Sequence, residues 1–131
     1  STYISFSHAQ MTEWEFISNI AKQSGCGILL DINNVYVNAF NHTFDPETYL
    51  QAIDPPSVGQ FHLAGHTHKK TYLFDTHIGP ICDQVWDLYA SALKRFGPVS
   101  TLIEWDENIP EFPELEAEAQ RTKSIRAKYN A

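Results

Sequence analysis

Val58-Gly59-Gln60-Phe61-His62-Leu63-Ala64-Gly65-His66-Thr67-His68 decides the reading of the chain. The run from Val58 to Leu63 predicts a strand. It ends in a glycine and three of the chain's six histidines. Period-two alternation puts Gln60, His62 and Ala64 on one face of that strand. Packing alone gives a chain of 131 residues little reason to gather half its imidazoles there. Three other segments end in ligand-type residues in the same way: Asp31-Ile32-Asn33-Asn34, Asp75-Thr76-His77 and Glu104-Trp105-Asp106. The expectation is that these four tips meet in space as one metal site.

Outward from this stretch, the neighbouring strands read alike. Gly27 to Asp31 is apolar without alternation, the pattern of a strand buried on both faces in a parallel sheet. Val99 to Ile103 is rich in β-branched residues and leads into Glu104 and Asp106, which share a face. Thr71 to Phe74 is a weaker run, a short strand or an extended loop, that delivers Asp75 and His77 to the same side. Residues 3–7 alternate loosely and read as a strand tail.

Helices fall between the strands. Thr12 and Glu15 form a capping box before a helix over 13–23, with Trp14, Ile17, Ile20 and Ala21 at helical spacing and Gly25 and Gly27 as the stop. Asp45-Pro46 opens a short helix over 46–52, which Asp54-Pro55-Pro56 closes. Asp83 caps a helix over 84–96, with Val85, Trp86, Tyr89, Leu93 and Phe96 on its apolar face and Gly97-Pro98 as its stop. Residues 114–128 read as a surface helix. Tyr36 to Asn41 reads as loop. Asn33-Asn34 reads as a turn, which Asp31 and Asn34 need if both are to face one site. Alternating helices and buried strands mean parallel βα units, an α/β fold. In such folds ligands bind at the carboxyl ends of the strands.

Composition bounds the function. At 43% hydrophobic and 13% aromatic the chain can bury a core. A net charge of −7 argues against a nucleic-acid groove, which needs clustered Lys and Arg. Arg121, Lys123, Arg126 and Lys128 read as a solvated helix face. Cys26 and Cys82 have no CxxC spacing, and Cys26 reads as a small buried residue. No apolar run is long enough for a membrane span, the first residues do not read as a signal peptide, and a cytoplasmic location is expected. The chain starts without Met, as if in mid-strand, and reads as a piece of something longer.

The ligand types are the carboxylates Asp31, Asp75 and Glu104, the imidazoles His62 and His77, and the amide Asn34, with His66, His68 and Asp106 nearby. Oxygen and nitrogen donors without sulfur suit iron, manganese or catalytic zinc. Three carboxylates exceed the usual need of one ion and point to a multinuclear site. Each residue also has a plainer reading: Asp31 and Asn34 as turn formers, His62 as a core histidine, Asp106 as a cap, and His66 and His68 as exposed loop residues. Co-location at successive strand ends outweighs these readings.

Leu30-Asp31-Ile32-Asn33-Asn34-Val35-Tyr36-Val37-Asn38-Ala39, His62-Leu63-Ala64-Gly65-His66, Asp75-Thr76-His77 and Thr101-Leu102-Ile103-Glu104-Trp105-Asp106 resemble the DUF692 family, also called UPF0276 or the multinuclear non-heme iron-dependent oxidative enzymes. The resemblance spans nearly the whole chain. It implies a (β/α)8 TIM barrel with two or three iron ions that modifies cysteines of ribosomally made peptides using O2, as in forming the oxazolone and thioamide of methanobactin. It also implies a precursor peptide substrate and a small partner protein that recruits it. By motif match it implies metal-ligand roles for Asp31, Asn34, His62, Asp75, His77 and Glu104. His66 would lie beside the ligands or near the substrate, and His66 or Asp106 would move protons.

A full barrel runs to about 250 residues. The expectation is therefore the C-terminal part, about half, of a barrel over residues 1–131: the end of strand five through strand eight and the C-terminal helix, with the N-terminal half and its ligands upstream of Ser1. Alone, such a piece is expected to be inactive and, with open sheet edges, to self-associate. Two other readings stand beside this one. One is a manganese- or zinc-dependent TIM-barrel isomerase or hydrolase of the xylose-isomerase-like type. The other is an inactive fragment or scaffold.

Overall fold

Three parallel strands, β1 (Ile28–Asp31), β2 (Val58–Ala64) and β5 (Ser100–Glu104), form a sheet in the order β1-β2-β5. The computed structural model describes residues 3–129. The helices are α1 (Glu13–Ser24), α2 (Ile32–His42), α3 (Pro46–Ala52), α4 (Asp83–Phe96) and α5 (Phe112–Ala127). Two short strands, β3 (Thr67–His68) and β4 (Leu73–Phe74), pair antiparallel as a hairpin apart from the sheet. The fold is α/β, with parallel strands alternating with helices.

Register sets which residues share a face. Leu30 pairs with Phe61 and Phe61 with Thr101, while Asp31 pairs with His62 and Ala64 with Glu104. On one face Ile28, Leu30, Phe61 and Leu63 are buried in a core with Ile32, Leu50, Val85, Trp86, Tyr89 and Leu93. Phe61 meets Tyr89 and Phe96 edge-on, the arrangement ring quadrupoles favour. Alternation turns Leu29, Asp31, Gln60, His62, Leu102 and Glu104 to the other face. Here the sequence reading is corrected, because β1 is not buried on both sides. Leu29 is 51% and Leu102 46% exposed. The described helices pack on one face only, so alternate strand residues look outward despite their apolar character.

Most helix boundaries follow the capping chemistry. Thr12 and Glu15 make the expected capping box, and Gly25 closes α1 with a left-handed φ of 74°. Of the residues expected on the apolar face of α1, Ala21 is buried, while Ile20 stays 40% exposed. Asp45 caps α3, with Pro46 at its first position. Asp83 lies inside the first turn of α4 rather than at its cap, which is Cys82. Its charge there complements the helix dipole. Arg121 stacks its guanidinium on Trp86 and bonds Asp83, tying α5 to α4.

Three further expectations fail. Tyr36 to Asn41 is not loop but the body of α2, whose buried Ile32, Asn33, Val35, Val37, Asn38 and Ala39 are held by packing that overrides poor intrinsic propensity. Residues 3–7 form no strand, and the part of that reading resting on Ser1 and Thr2 lies outside the described residues. Cys26 is exposed rather than buried, because Gly25 and Gly27 carry it across the turn between α1 and β1.

Candidate metal centre

The carboxyl ends of β1, β2 and β5 and the loop after β4 converge. Asp31 ends β1 and also caps α2, so one residue is fixed twice. Its Oδ1 accepts from Asn34 N at 2.8 Å, while Oδ2 lies 3.7 Å from His77 Nε2. His62, on β2, places Nδ1 2.9 Å from Glu104 Oε2 at the end of β5. Asp75 and His77 arrive from the hairpin rather than from a strand of the sheet.

His77 sits at the centre. Its Nε2 is 3.3 Å from Asp75 Oδ1, and its Nδ1 is 3.3 Å from Glu104 Oε2 and 3.4 Å from Asp106 Oδ2. Its backbone is left-handed, with φ of 52°, a conformation a non-glycine residue holds only when its surroundings impose it. Asp106 N donates to His77 O at 2.9 Å, and Ile78 bridges to Glu107. On the other side Gly65 lets the loop pass: a Cβ there would lie 2.5 Å from Ile78 O and closer still to Gly79 O.

Two triads of ligand atoms result. Those of Asp31, His62 and Glu104 lie within 4.8 Å of one another, as do those of His77, Glu104 and Asp106. Glu104 belongs to both. Burial pushes the Asp31 carboxyl above its usual range, and the charge of Asp75 adds to this against the Asn34 N–H and the nearby histidines. Four carboxylates surround two imidazoles, an excess of two negative charges even with both rings protonated. A cation of the oxygen- and nitrogen-binding kind fits such a donor set.

Of the residues singled out from sequence, Asp31, Asn34, His62, Asp75, His77, Glu104 and Asp106 come together. Asn34 joins through its amide, whose Nδ2 donates to Asp75 Oδ2 at 2.8 Å and leaves its oxygen for a cation. His66 stands beside the cluster, its ring near that of Tyr36, and burial lowers its pKa. His68 is exposed on β3 and bonded to the Lys69 carbonyl, away from the cluster. The sequence reading missed Asn33. It is fully buried and donates through Nδ2 to Asp75 Oδ1 at 2.5 Å and to Gly65 O at 3.3 Å, while its Oδ1 faces His66 Nδ1 at 2.8 Å. A polar pair directly after an apolar strand is the available signal, but Asn33 and Asn34 form the first turn of α2 rather than the expected loop turn.

Carboxylates, imidazoles and amides at the strand ends of a parallel sheet define an α/β protein with a candidate metal centre. Residues 1–127 match the family model for the RiPP precursor modification enzyme MbnB/TglH/ChrH, and the chain belongs to that family. It is 49% identical over 127 residues to a UPF0276 protein of Anaeromyxobacter sp., covering 97% of this chain and 45% of that protein. It is 52% identical over 121 residues to one of Acaryochloris marina, covering 92% and 44%. A UPF0276 protein of Caulobacter vibrioides is 48% identical over 118 residues, covering 90% and 42%. The chain thus spans less than half the length of these relatives. Among the described residues no helix is long and apolar enough to cross a membrane.

Proposed function

We propose that residues 1–131 are the C-terminal part, about half, of a (β/α)8 barrel enzyme that modifies cysteines of ribosomally made precursor peptides with O2 at a multinuclear non-heme iron centre. The observation that carries this reading is the sharing of Glu104 between two ligand triads in a cluster with more carboxylate than its imidazoles can neutralise. The family match supports the peptide substrate. A small partner protein that recruits the peptide, and a cytoplasmic location, belong to the same reading.

Asp31, Asn34, His62, Asp75, His77 and Glu104 would hold the metal. Bound iron would supply a site for O2 and for the peptidyl thiolate. The chain's own residues do the rest. Glu104 fixes the Nδ1 side of both His62 and His77. Asp75, gripped by the amides of Asn33 and Asn34, faces Nε2 of His77, whose ring would give one nitrogen to the metal and a hydrogen bond to a carboxylate through the other. His66 at Nε2 and the half-exposed Asp106 at Oδ2 are the groups that accept and pass on protons.

The test uses the full natural polypeptide that carries these residues, loaded anaerobically with ferrous iron and given a cysteine-containing precursor peptide, the partner protein and O2. Oxygen uptake coupled to a mass change confined to peptide cysteines is the expected result, and Glu104→Gln abolishes both. Turnover with Mn2+ or Zn2+ and no oxygen uptake would support an isomerase or hydrolase instead. No turnover with any of these metals would support a scaffold.

A further inference from the structure

Asn33 is not among the metal ligands, and every polar atom of its side chain is engaged. Its partners fix which way the amide faces. Gly65 O can only accept, so the atom beside it is Nδ2. Asp75 Oδ1 lies on the same nitrogen, which a carboxylate requires. Oδ1 is then the atom turned to His66 Nδ1. An amide oxygen cannot donate, so the proton of that hydrogen bond belongs to His66 Nδ1. In neutral His66 the lone pair therefore falls on Nε2, which has no hydrogen bond to any described residue.

We propose that Asn33 is a positioning residue that locks His66 as its Nδ1–H tautomer, so that Nε2 stands unprotonated as the proton acceptor of the site. The hydrogen bond on one ring nitrogen decides the state of the other. Through its Nδ2 the same side chain sets the angle of Asp75, coupling the acceptor to the cluster around His77. The importance of the tautomer rests on the function proposed above; the tautomer itself does not.

The experiment labels histidine with 15N in the full natural polypeptide, loaded with Zn2+ as a diamagnetic occupant. Long-range 1H–15N correlations are recorded above the His66 titration, with His66 assigned by His66→Gln. In the unmodified protein His66 shows a protonated Nδ1 and a bare Nε2. Asn33→Ala moves the proton to Nε2, the form an unconstrained histidine prefers. Asn33→Leu, which keeps the branched skeleton of the Asn side chain, serves if the alanine variant does not fold. A protonated Nε2 in the unmodified protein overturns the inference, and so does a folded Asn33 variant with Nδ1 still protonated. Absence of peptide modification alongside the expected tautomer would count against the proposed function and leave this inference standing.

Discussion

Asp31 caps α2 with one carboxylate oxygen and faces His77 with the other. Its raised pKa means that the metal-free folded protein holds this proton more tightly than the unfolded chain does. Its contribution to stability is therefore greatest below the ordinary value of 3.8 and is lost as pH rises through the raised one. Asp31→Asn keeps the cap and removes the buried charge. It is expected to raise the melting temperature of the metal-free protein at pH 7, by a margin that shrinks toward about pH 4, and to weaken metal binding. Calorimetry across pH checks the first effect and metal titration the second. His66 has the opposite sign. Burial lowers its pKa, so the unfolded chain binds that proton more tightly, and stability falls as pH drops from above 6.5 through the lowered value. His66→Gln is expected to flatten that acid limb of the melting profile. At this scale His62, Asp75, His77 and Glu104 were legible because ligand-type side chains end apolar runs. Asn33 was not, because its partners lie 32, 33 and 42 residues away in sequence and nothing local reports them.

The loop from Asp75 to Gly79 is the element that assembles the centre, and two glycines serve it differently. Gly65→Ala inserts a methyl against the backbone of Ile78 and Gly79. It is expected to cost about 1–3 kcal/mol, as overpacking does, and to move His77 away from Glu104, with loss of metal. Gly79→Ala meets no atom within 4 Å but must hold φ near 82°. It is expected to cost only about 1–2 kcal/mol, the left-handed penalty, and to keep the metal. Metal content on the two variants separates the cases, and denaturant midpoints check the two costs. The strands of the sheet and the capped helices were readable from apolar runs, Pro and Gly. Helix α2 was not. Val35, Tyr36 and Val37 are poor helix formers beside several asparagines, and the helix exists because α2 is buried on several sides. The hairpin's short strands were readable only as an extended run, because two residues each give no periodicity.

For the whole molecule, one sheet face carries the core and the other carries the candidate centre together with exposed Leu29 and Leu102. Among the described residues β1 and β5 each have one unpaired edge. The 131-residue chain by itself is therefore expected to self-associate in sedimentation experiments, and Leu29→Lys with Leu102→Glu to reduce that association. The α/β class was legible from the alternation of elements. The exposure of alternate strand residues was not, because composition reports what a strand can bury and not what covers it. These strand ends are proposed to hold a multinuclear metal centre. Elemental analysis of the anaerobically purified full natural polypeptide, beside Glu104→Gln, tests this most directly. Two or three irons per chain, falling to one or none in the variant, is the predicted result. No bound metal in either protein, or the same metal content in both, would contradict it.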